Sequence, residues 1–240
     1  MWARMRLQDV KTFYISPDNA AYQGRRLHME GLLKGLGFTD VTHKKTGGRG
    51  ANVDLIDATV EILESVGDDT PVLILEDDVE FIPHFSAEQQ NDVNVNVNVN
   101  VNVGCACPDP SHGAVLAHPL PTTDIYIPHA ADAMYLGISR AGGSFYNGYD
   151  DGPCIVEPYN ADIVRVKNML SAHAILYLSA RYKADAAKRL KGIRGLANYF
   201  SDVVLSRLHP YYNIYAYKRP LFYQSAALGG KEADTRFVLE

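Results

Sequence analysis

An apolar run that ends abruptly in three acids constrains this 240-residue chain most. Residues 72–75 read Val-Leu-Ile-Leu and follow the polar stretch 68–71. A short run without alternation predicts a central strand that is buried on both faces. The run continues directly into Glu76, Asp77 and Asp78. Desolvation and mutual repulsion would force protons onto such carboxylates, so we expect a cation, backbone N–H groups or solvent to compensate them.

Glu76 and Asp78 are the two acids that could share one metal ion. Residues of one parity point to the same side of a strand, so we expect both carboxylates to reach a common point. Ligation by oxygen alone favours a hard divalent cation, Mn²⁺ or Mg²⁺. The carboxyl ends of strands are also where α/β folds place their ligands. The alternative is a solvated acidic turn that holds no ligand.

Strand and helix patterns alternate through the first third of the chain. Residues 11–16 predict a strand, apolar residues between 29 and 36 fall on one helical stripe, and residues 40–43 predict a second strand. A second helix, capped by Asp54, precedes the acidic strand. This alternation is typical of an α/β sheet whose parallel strands are joined by right-handed crossovers.

The rest of the chain predicts further strands and helices within one domain, the best prior at this length. Strands are expected over 132–137, 173–179 and 212–217, with helices starting after Ser179 and covering 196–208. Residues 91–112 contain a strict Val-Asn alternation, which we interpret as a low-complexity insert without a catalytic role.

Composition excludes some classes of partner. A net charge of -5 and a pI near 5.9 argue against nucleic acid and anionic membrane surfaces. Three cysteines do not form a disulfide framework and suit a reducing compartment. The chain starts without a signal-peptide core and contains no run of 18 apolar residues. We therefore expect a soluble, cytoplasmic, non-secreted protein without a transmembrane segment.

The segment Leu75-Glu-Asp-Asp-Val79 resembles the acidic metal-binding motif of GT-A glycosyltransferases. It is most similar to the family-25 lipopolysaccharide and collagen galactosyltransferases and their relatives. Further similar segments follow in the same order: Phe13-Tyr-Ile-Ser16, Gly24-Arg-Arg26, Asp132-Ala-Met-Tyr-Leu-Gly137, Ser171 to Ser179, Asp202-Val-Val-Leu205 and Pro220-Leu-Phe-Tyr-Gln224. Two departures are the Val-Asn insert and the segment 51–55, where family-25 enzymes usually carry a Ser-His pair.

The resemblance implies a single GT-A-type domain over residues 1–240, with a mixed, mostly parallel sheet flanked by helices. A Rossmann-like nucleotide-sugar-binding half would cover 1–81, and an acceptor-side half would cover 126–240. It also implies site residues. Glu76 and Asp78 would hold Mn²⁺ or Mg²⁺, and Asp202 would be the catalytic base. The nucleotide sugar would be bound by Tyr14, Ile15, Ser16, Arg25, Arg26 and Asp77.

The implied function is a metal-dependent glycosyltransferase, either hexosyl- or pentosyltransferase. It would move a sugar from a nucleotide-diphosphate sugar, expected to be a UDP-sugar, to a hydroxyl of a glycan, lipid or protein with inversion. The alternative is a non-catalytic carbohydrate-binding or assembly module of the same fold. A sugar-nucleotide pyrophosphorylase is disfavoured because residues 16–20 are not a Gly-rich, Arg/Lys-containing loop. A haloacid-dehalogenase phosphatase is disfavoured because Glu76 stands where its nucleophilic Asp would be.

Overall fold

The computed structural model describes residues 2–47, 50–82, 124–140, 152–194, 196 and 200–239. The predicted insert over 91–112 lies outside these residues. The described residues form twelve strands and five α-helices. The strands are β1 (Trp2–Arg6), β2 (Lys11–Pro17), β3 (Val41–Thr46), β4 (Val72–Glu76), β5 (Val79–Phe81), β6 (Asp124–Pro128), β7 (Ala133–Tyr135), β8 (Ile155–Pro158), β9 (Ile163–Lys167), β10 (Ala174–Tyr177), β11 (Ile214–Tyr217) and β12 (Phe222–Gln224). The helices are α1 (Gln23–Gly35), α2 (Ala51–Ser65), α3 (Ala180–Gly192), α4 (Ser201–Ser206) and α5 (Glu232–Thr235).

An eight-stranded sheet in the order β3-β2-β4-β10-β7-β11-β9-β8 organises the described part of the molecule. Strands β9 and β10 run opposite to the other six, as the pairing of each neighbour shows. The sheet is therefore mixed, with most strands in one direction, and it is flanked by helices. This confirms the predicted α/β class. Two antiparallel pairs, β1 with β6 and β5 with β12, lie outside the large sheet.

Apolar side chains cover both faces of this sheet. Val72 and Ile74 of β4 pack into a cluster with α2, α3 and α4. Leu73 and Leu75 face the opposite side and pack with α1. All four are buried, which confirms the prediction that the strand before the acids is buried on both faces. A strand held in this way fixes the position of whatever follows it.

Several sequence predictions need correction at the element boundaries. The helix predicted over 196–208 is the six-residue α4, which begins at Ser201. Asp54 does not cap α2; it lies inside the first turn, and Gly50, with φ of 121°, holds the N-cap position. Ser179 caps α3 as predicted, because its Oγ accepts a hydrogen bond from the Tyr182 N–H at 3.2 Å. Strands β1, β5, β6, β8, β9 and β12 were not predicted.

None of the helices in the described part of the chain is both long and apolar enough to cross a bilayer. The division of the domain into a nucleotide-sugar half and an acceptor half stays a prediction.

Lys183 joins α3 to the loop before β4. The residue is buried, and its ammonium donates to the carbonyls of Gly67 and Thr70, each at 2.8 Å. These bonds tie the loop after α2 to a helix more than 110 residues away in sequence. They therefore help to fix the start of the acidic strand.

Replacing Lys183 with Met should lower the free energy of unfolding by roughly 2 kcal/mol, because two carbonyl groups lose a buried charged donor. The measurement is chemical denaturation of the wild type and the variant. Lys188→Met, at an exposed position of the same helix, is the matched control. Equal stability of the two variants would contradict the stabilising role of the hydrogen bonds from Lys183 to Gly67 and Thr70.

Candidate functional site

The acidic turn emerges between two neighbouring strands of the large sheet. On one side, Glu76 is in register with Ile15 of β2. On the other side, the Glu76 N–H donates to the His173 carbonyl, next to β10, at 2.9 Å. Residues 77 and 78 then turn the chain into β5, which pairs with β12. The turn is thus held at both ends by strand pairing.

Gln224 brings the two predicted metal ligands together. Its Nε2 lies 3.1 Å from Glu76 Oε2 and 3.3 Å from Asp78 Oδ2. The shared donor places the two carboxylates on the same side of the turn, as their parity predicts. The Ser225 N–H donates to the Asp78 carbonyl at 2.7 Å, so backbone bonding holds β12 beside the turn.

Asp77 points away from this pair and is engaged at both oxygens. Ser16 Oγ donates to Oδ2 at 2.6 Å, and Arg25 Nη1 donates to Oδ1 at 2.9 Å. Asp77 is only 6% exposed, so these two hydrogen bonds replace the water that its carboxylate loses on burial. The Arg25 guanidinium also lies over the Tyr22 ring, 5.3 Å from its centroid. Ser16, Arg25 and Asp77 therefore form one connected group at the end of β2.

The surroundings of Glu76 and Asp78 disfavour the charged forms of both carboxyl groups. Desolvation, together with the neighbouring Asp78, Asp202 and Asp77, raises the pKa of Glu76 to about 8, while the hydrogen bond from Gln224 opposes the shift. Desolvation also raises the pKa of Asp78, although the nearby Arg25 guanidinium favours its charged form. Positive charge placed between Glu76 and Asp78 would relieve this repulsion.

A cavity of about 480 Å³ opens in front of Glu76 and Gln224. Asp202, in the first turn of α4, lines the same cavity. Desolvation raises the pKa of Asp202, while the hydrogen bond from the Val203 N–H, 2.8 Å from Oδ1, works in the opposite direction. Lys231 also lines the cavity and favours the charged form of Asp202.

Three predicted nucleotide-binding side chains have other partners in the structure. The Tyr14 hydroxyl donates to Glu30 at 3.2 Å, and its ring stacks on His43. Ile15 is buried in the core beneath the sheet. Arg26 donates to the carbonyl of Pro17, the last residue of β2, at 2.7 Å and to the carbonyl of Asn19 in the following loop at 2.8 Å. These side chains support β2 and its loop, and the cavity is not lined by any of them.

His173, within the segment Ser171 to Ser179, also lines the cavity. Its imidazole packs against Gly137 so closely that a Cβ at residue 137 would lie 2.1 Å from Nε2. Its Nδ1 lies 3.2 Å from Ser171 Oγ, which donates to the Gly137 carbonyl. Desolvation lowers the pKa of His173 to about 4, so the ring is neutral. Its carbonyl, rather than its ring, is what contacts Glu76.

No group of three or more His, Cys, Asp or Glu side chains among the described residues could hold a metal ion. Glu76 and Asp78 still fit one half of such a site, because two desolvated carboxylates converge on a single donor. Mg²⁺ is often held in this way, by one or two carboxylates with water and substrate phosphates completing its shell. The donor set is therefore suited to a hard divalent cation.

No family model and no curated protein matches this chain. Among solved structures, the nucleoside-diphosphate-sugar pyrophosphorylase from Vibrio cholerae RC9 is similar at a TM-score of 0.39 and 9% identity. The alignment covers 85% of this chain and 70% of that one. A similarity at this level does not transfer a fold or an activity. The functional argument therefore depends on the site itself.

Replacing Asp77 with Asn should lower the free energy of unfolding by roughly 2 kcal/mol, because the Arg25 guanidinium loses its charged acceptor. Urea denaturation of both proteins measures the difference. Asp40→Asn, at an exposed position next to β3, is the control and should leave stability unchanged. A variant as stable as that control would show that the connected group of Ser16, Arg25 and Asp77 does not hold the turn.

Proposed function

We propose that this protein is a metal-dependent glycosyltransferase of the GT-A type, resembling the family-25 enzymes. It transfers a hexosyl or pentosyl group from a nucleotide-diphosphate sugar, a UDP-sugar in the favoured form, to an acceptor hydroxyl. The observation that carries the proposal is the convergence of three carboxylates on one region. Glu76 and Asp202 line the same cavity, and Asp78 shares the Gln224 donor with Glu76.

The donor would lie across the carboxyl end of β4. Glu76 and Asp78 would hold Mn²⁺ or Mg²⁺ there. When bound, such a cation stabilises the charge of a leaving diphosphate as a Lewis acid. A cation bound there would offset the desolvation and repulsion that raise the pKa of both carboxyl groups, and so would favour their charged forms.

On the nucleotide side, the guanidinium of Arg25 pairs with Asp77 of the acidic turn, and the Arg25 side chain is still 28% exposed. Asp77 and the Tyr22 ring hold that guanidinium in one orientation. Its remaining N–H groups would bind a phosphate or ribose oxygen of the donor, for which a planar guanidinium is well suited. Tyr14, Ile15 and Arg26 would then act through the backbone position of β2 and its loop.

Asp202 would take the proton from the acceptor hydroxyl. The hydroxyl oxygen forms a bond to the anomeric carbon from the face opposite the nucleotide diphosphate, and the bond to the diphosphate oxygen breaks with inversion. The raised pKa of Asp202 brings its basicity closer to the working pH, which favours a general base. The acceptor would be a glycan, lipid or protein hydroxyl.

A thermal-shift panel of UDP, GDP, CDP and their sugars, with and without Mn²⁺, tests donor binding. A nucleotide held at roughly 100 times its dissociation constant should stabilise the protein by about 2.7 kcal/mol. We expect this stabilisation with one base, only when Mn²⁺ is present, and we expect it to be lost in Asp78→Asn. That variant keeps the side-chain volume while removing the charge.

The absence of a shift with every nucleotide in the wild type would refute the transferase proposal. It would favour a non-catalytic carbohydrate-binding module instead. If Asp78→Asn showed the same thermal shift, nucleotide binding would be supported, but the metal dependence of that binding would be contradicted.

Asp202→Asn should reduce sugar transfer by roughly 10²- to 10⁴-fold, the usual contribution of a general base. Donor binding in the thermal-shift assay should not change, because Asp202 is placed on the acceptor side. Asp234→Asn is a matched control, since Asp234 is an exposed acid lining the same cavity. Equal transfer rates in the two variants would exclude Asp202 as the base.

A further inference from the structure

Gln224 is the one residue in hydrogen-bond contact with both carboxylates of the acidic pair among the contacts of the described residues. Its Nε2 lies 3.1 Å from Glu76 Oε2, and 3.3 and 3.5 Å from the two oxygens of Asp78. The amide nitrogen therefore faces both carboxylates from the side on which a shared cation would be bound.

The backbone of Gln224 is fixed on several sides. Its residue pairs with Val79 across β5 and β12, and its N–H donates to Thr235 Oγ1 at 3.0 Å. Gly230 packs on it so closely that a Cβ there would lie 2.7 Å from Gln224 Cβ. The side chain is thus anchored at its base, and the remaining freedom lies in the torsions that orient the amide.

The orientation of the amide determines whether a cation can enter. An amide nitrogen is a hydrogen-bond donor only and cannot bind a metal ion, whereas the carbonyl oxygen of the same group is a suitable ligand for a hard cation. If the amide kept its orientation, its hydrogens would point at the position that the cation needs. A half-turn about the bond to the amide carbon would exchange Nε2 and Oε1, so that the carbonyl oxygen would face the cation instead.

We propose that Gln224 is the third protein ligand of the metal site, coordinating through Oε1 after this half-turn. The inference rests on the proposed function, since it concerns the same cation. It explains how a site with only two converging acids gains a further protein oxygen. Without the cation, the same amide serves as a neutral donor that holds Glu76 and Asp78 together.

The test compares Mn²⁺ binding to the wild type, Gln224→Leu and Gln224→Glu by titration calorimetry without nucleotide. Leu removes both the donor and the oxygen ligand at similar size, and we expect Mn²⁺ affinity to fall by about 10-fold or more, as for other disrupted metal-site contacts. Glu keeps an oxygen at the same position, so its Mn²⁺ affinity should equal or exceed that of the wild type. Gln23→Leu, exposed at the start of α1, is the matched control and should not change the affinity.

The two roles of Gln224 predict opposite signs for the Leu variant. If Gln224 were only a hydrogen-bond donor that the cation must displace, removing it would leave Mn²⁺ affinity unchanged or increase it. That result would overturn the inference while leaving the glycosyltransferase proposal intact. A Glu variant that binds Mn²⁺ as weakly as the Leu variant would overturn it as well. A wild type that binds no Mn²⁺ would overturn both the inference and the metal dependence.

A second measurement reports the same event without comparing affinities. In ¹H–¹⁵N spectra, the side-chain amide signals of Gln224 are those that disappear in Gln224→Glu. Adding diamagnetic Mg²⁺ should shift these signals for two reasons. The amide N–H groups would lose their carboxylate acceptors, and the carbonyl oxygen of the same amide would bind the metal ion. Signals that stay in place while Mg²⁺ binds would contradict the proposed coordination.

Discussion

The pairing of Asp77 with Ser16 and Arg25 is the interaction on which the rest of the site depends. Three consecutive acids at the end of a buried strand repel one another. The structure reduces this repulsion by giving the middle acid different hydrogen-bond donors from its two neighbours. The middle acid, Asp77, accepts from a charged donor and from a hydroxyl, at 2.9 and 2.6 Å. Its neighbours, Glu76 and Asp78, are left on the opposite side with a neutral amide. Holding one acid firmly leaves the other two directed together toward Gln224.

The mixed direction of the sheet gives the turn its second support. Because β10 runs antiparallel to β4, the start of β10 lies beside the end of β4, where His173 can accept the Glu76 N–H. The His173 ring needs space, and the absence of a side chain at Gly137 provides it. An all-parallel neighbour would have placed its carboxyl end at this point. The reversal thus joins the acidic turn to the half of the sheet that includes β7.

Local sequence patterns predicted the elements near the site better than the contacts within it. The unbroken apolar run of β4 and the helical stripe of α1 are periodicities that a short window reveals. The contact of Gln224 with Glu76 spans 148 positions, and the pairing of β1 with β6 joins segments about 120 positions apart. No local window contains both partners of such contacts. The partner of Arg25 could not be predicted locally either. The guanidinium chemistry of Arg25 predicted a phosphate ligand, whereas the structure shows that Asp77 accepts a hydrogen bond from Arg25 and orients it.

The acids at this site also differ in how many donors and positive charges compensate their carboxylates, and this difference fits different roles. An acid with a full set of donors, such as Asp77, gains little from a ligand and is suited to hold structure. Glu76 and Asp78 share one neutral amide, so a cation between them would relieve the repulsion between their charged forms. Asp202 has a backbone N–H and the nearby Lys231, and its raised pKa suits a group that must accept a proton and release it again. Under the proposed function, these different environments would let chemically similar side chains take different roles, with Glu76 and Asp78 in binding and Asp202 in proton transfer.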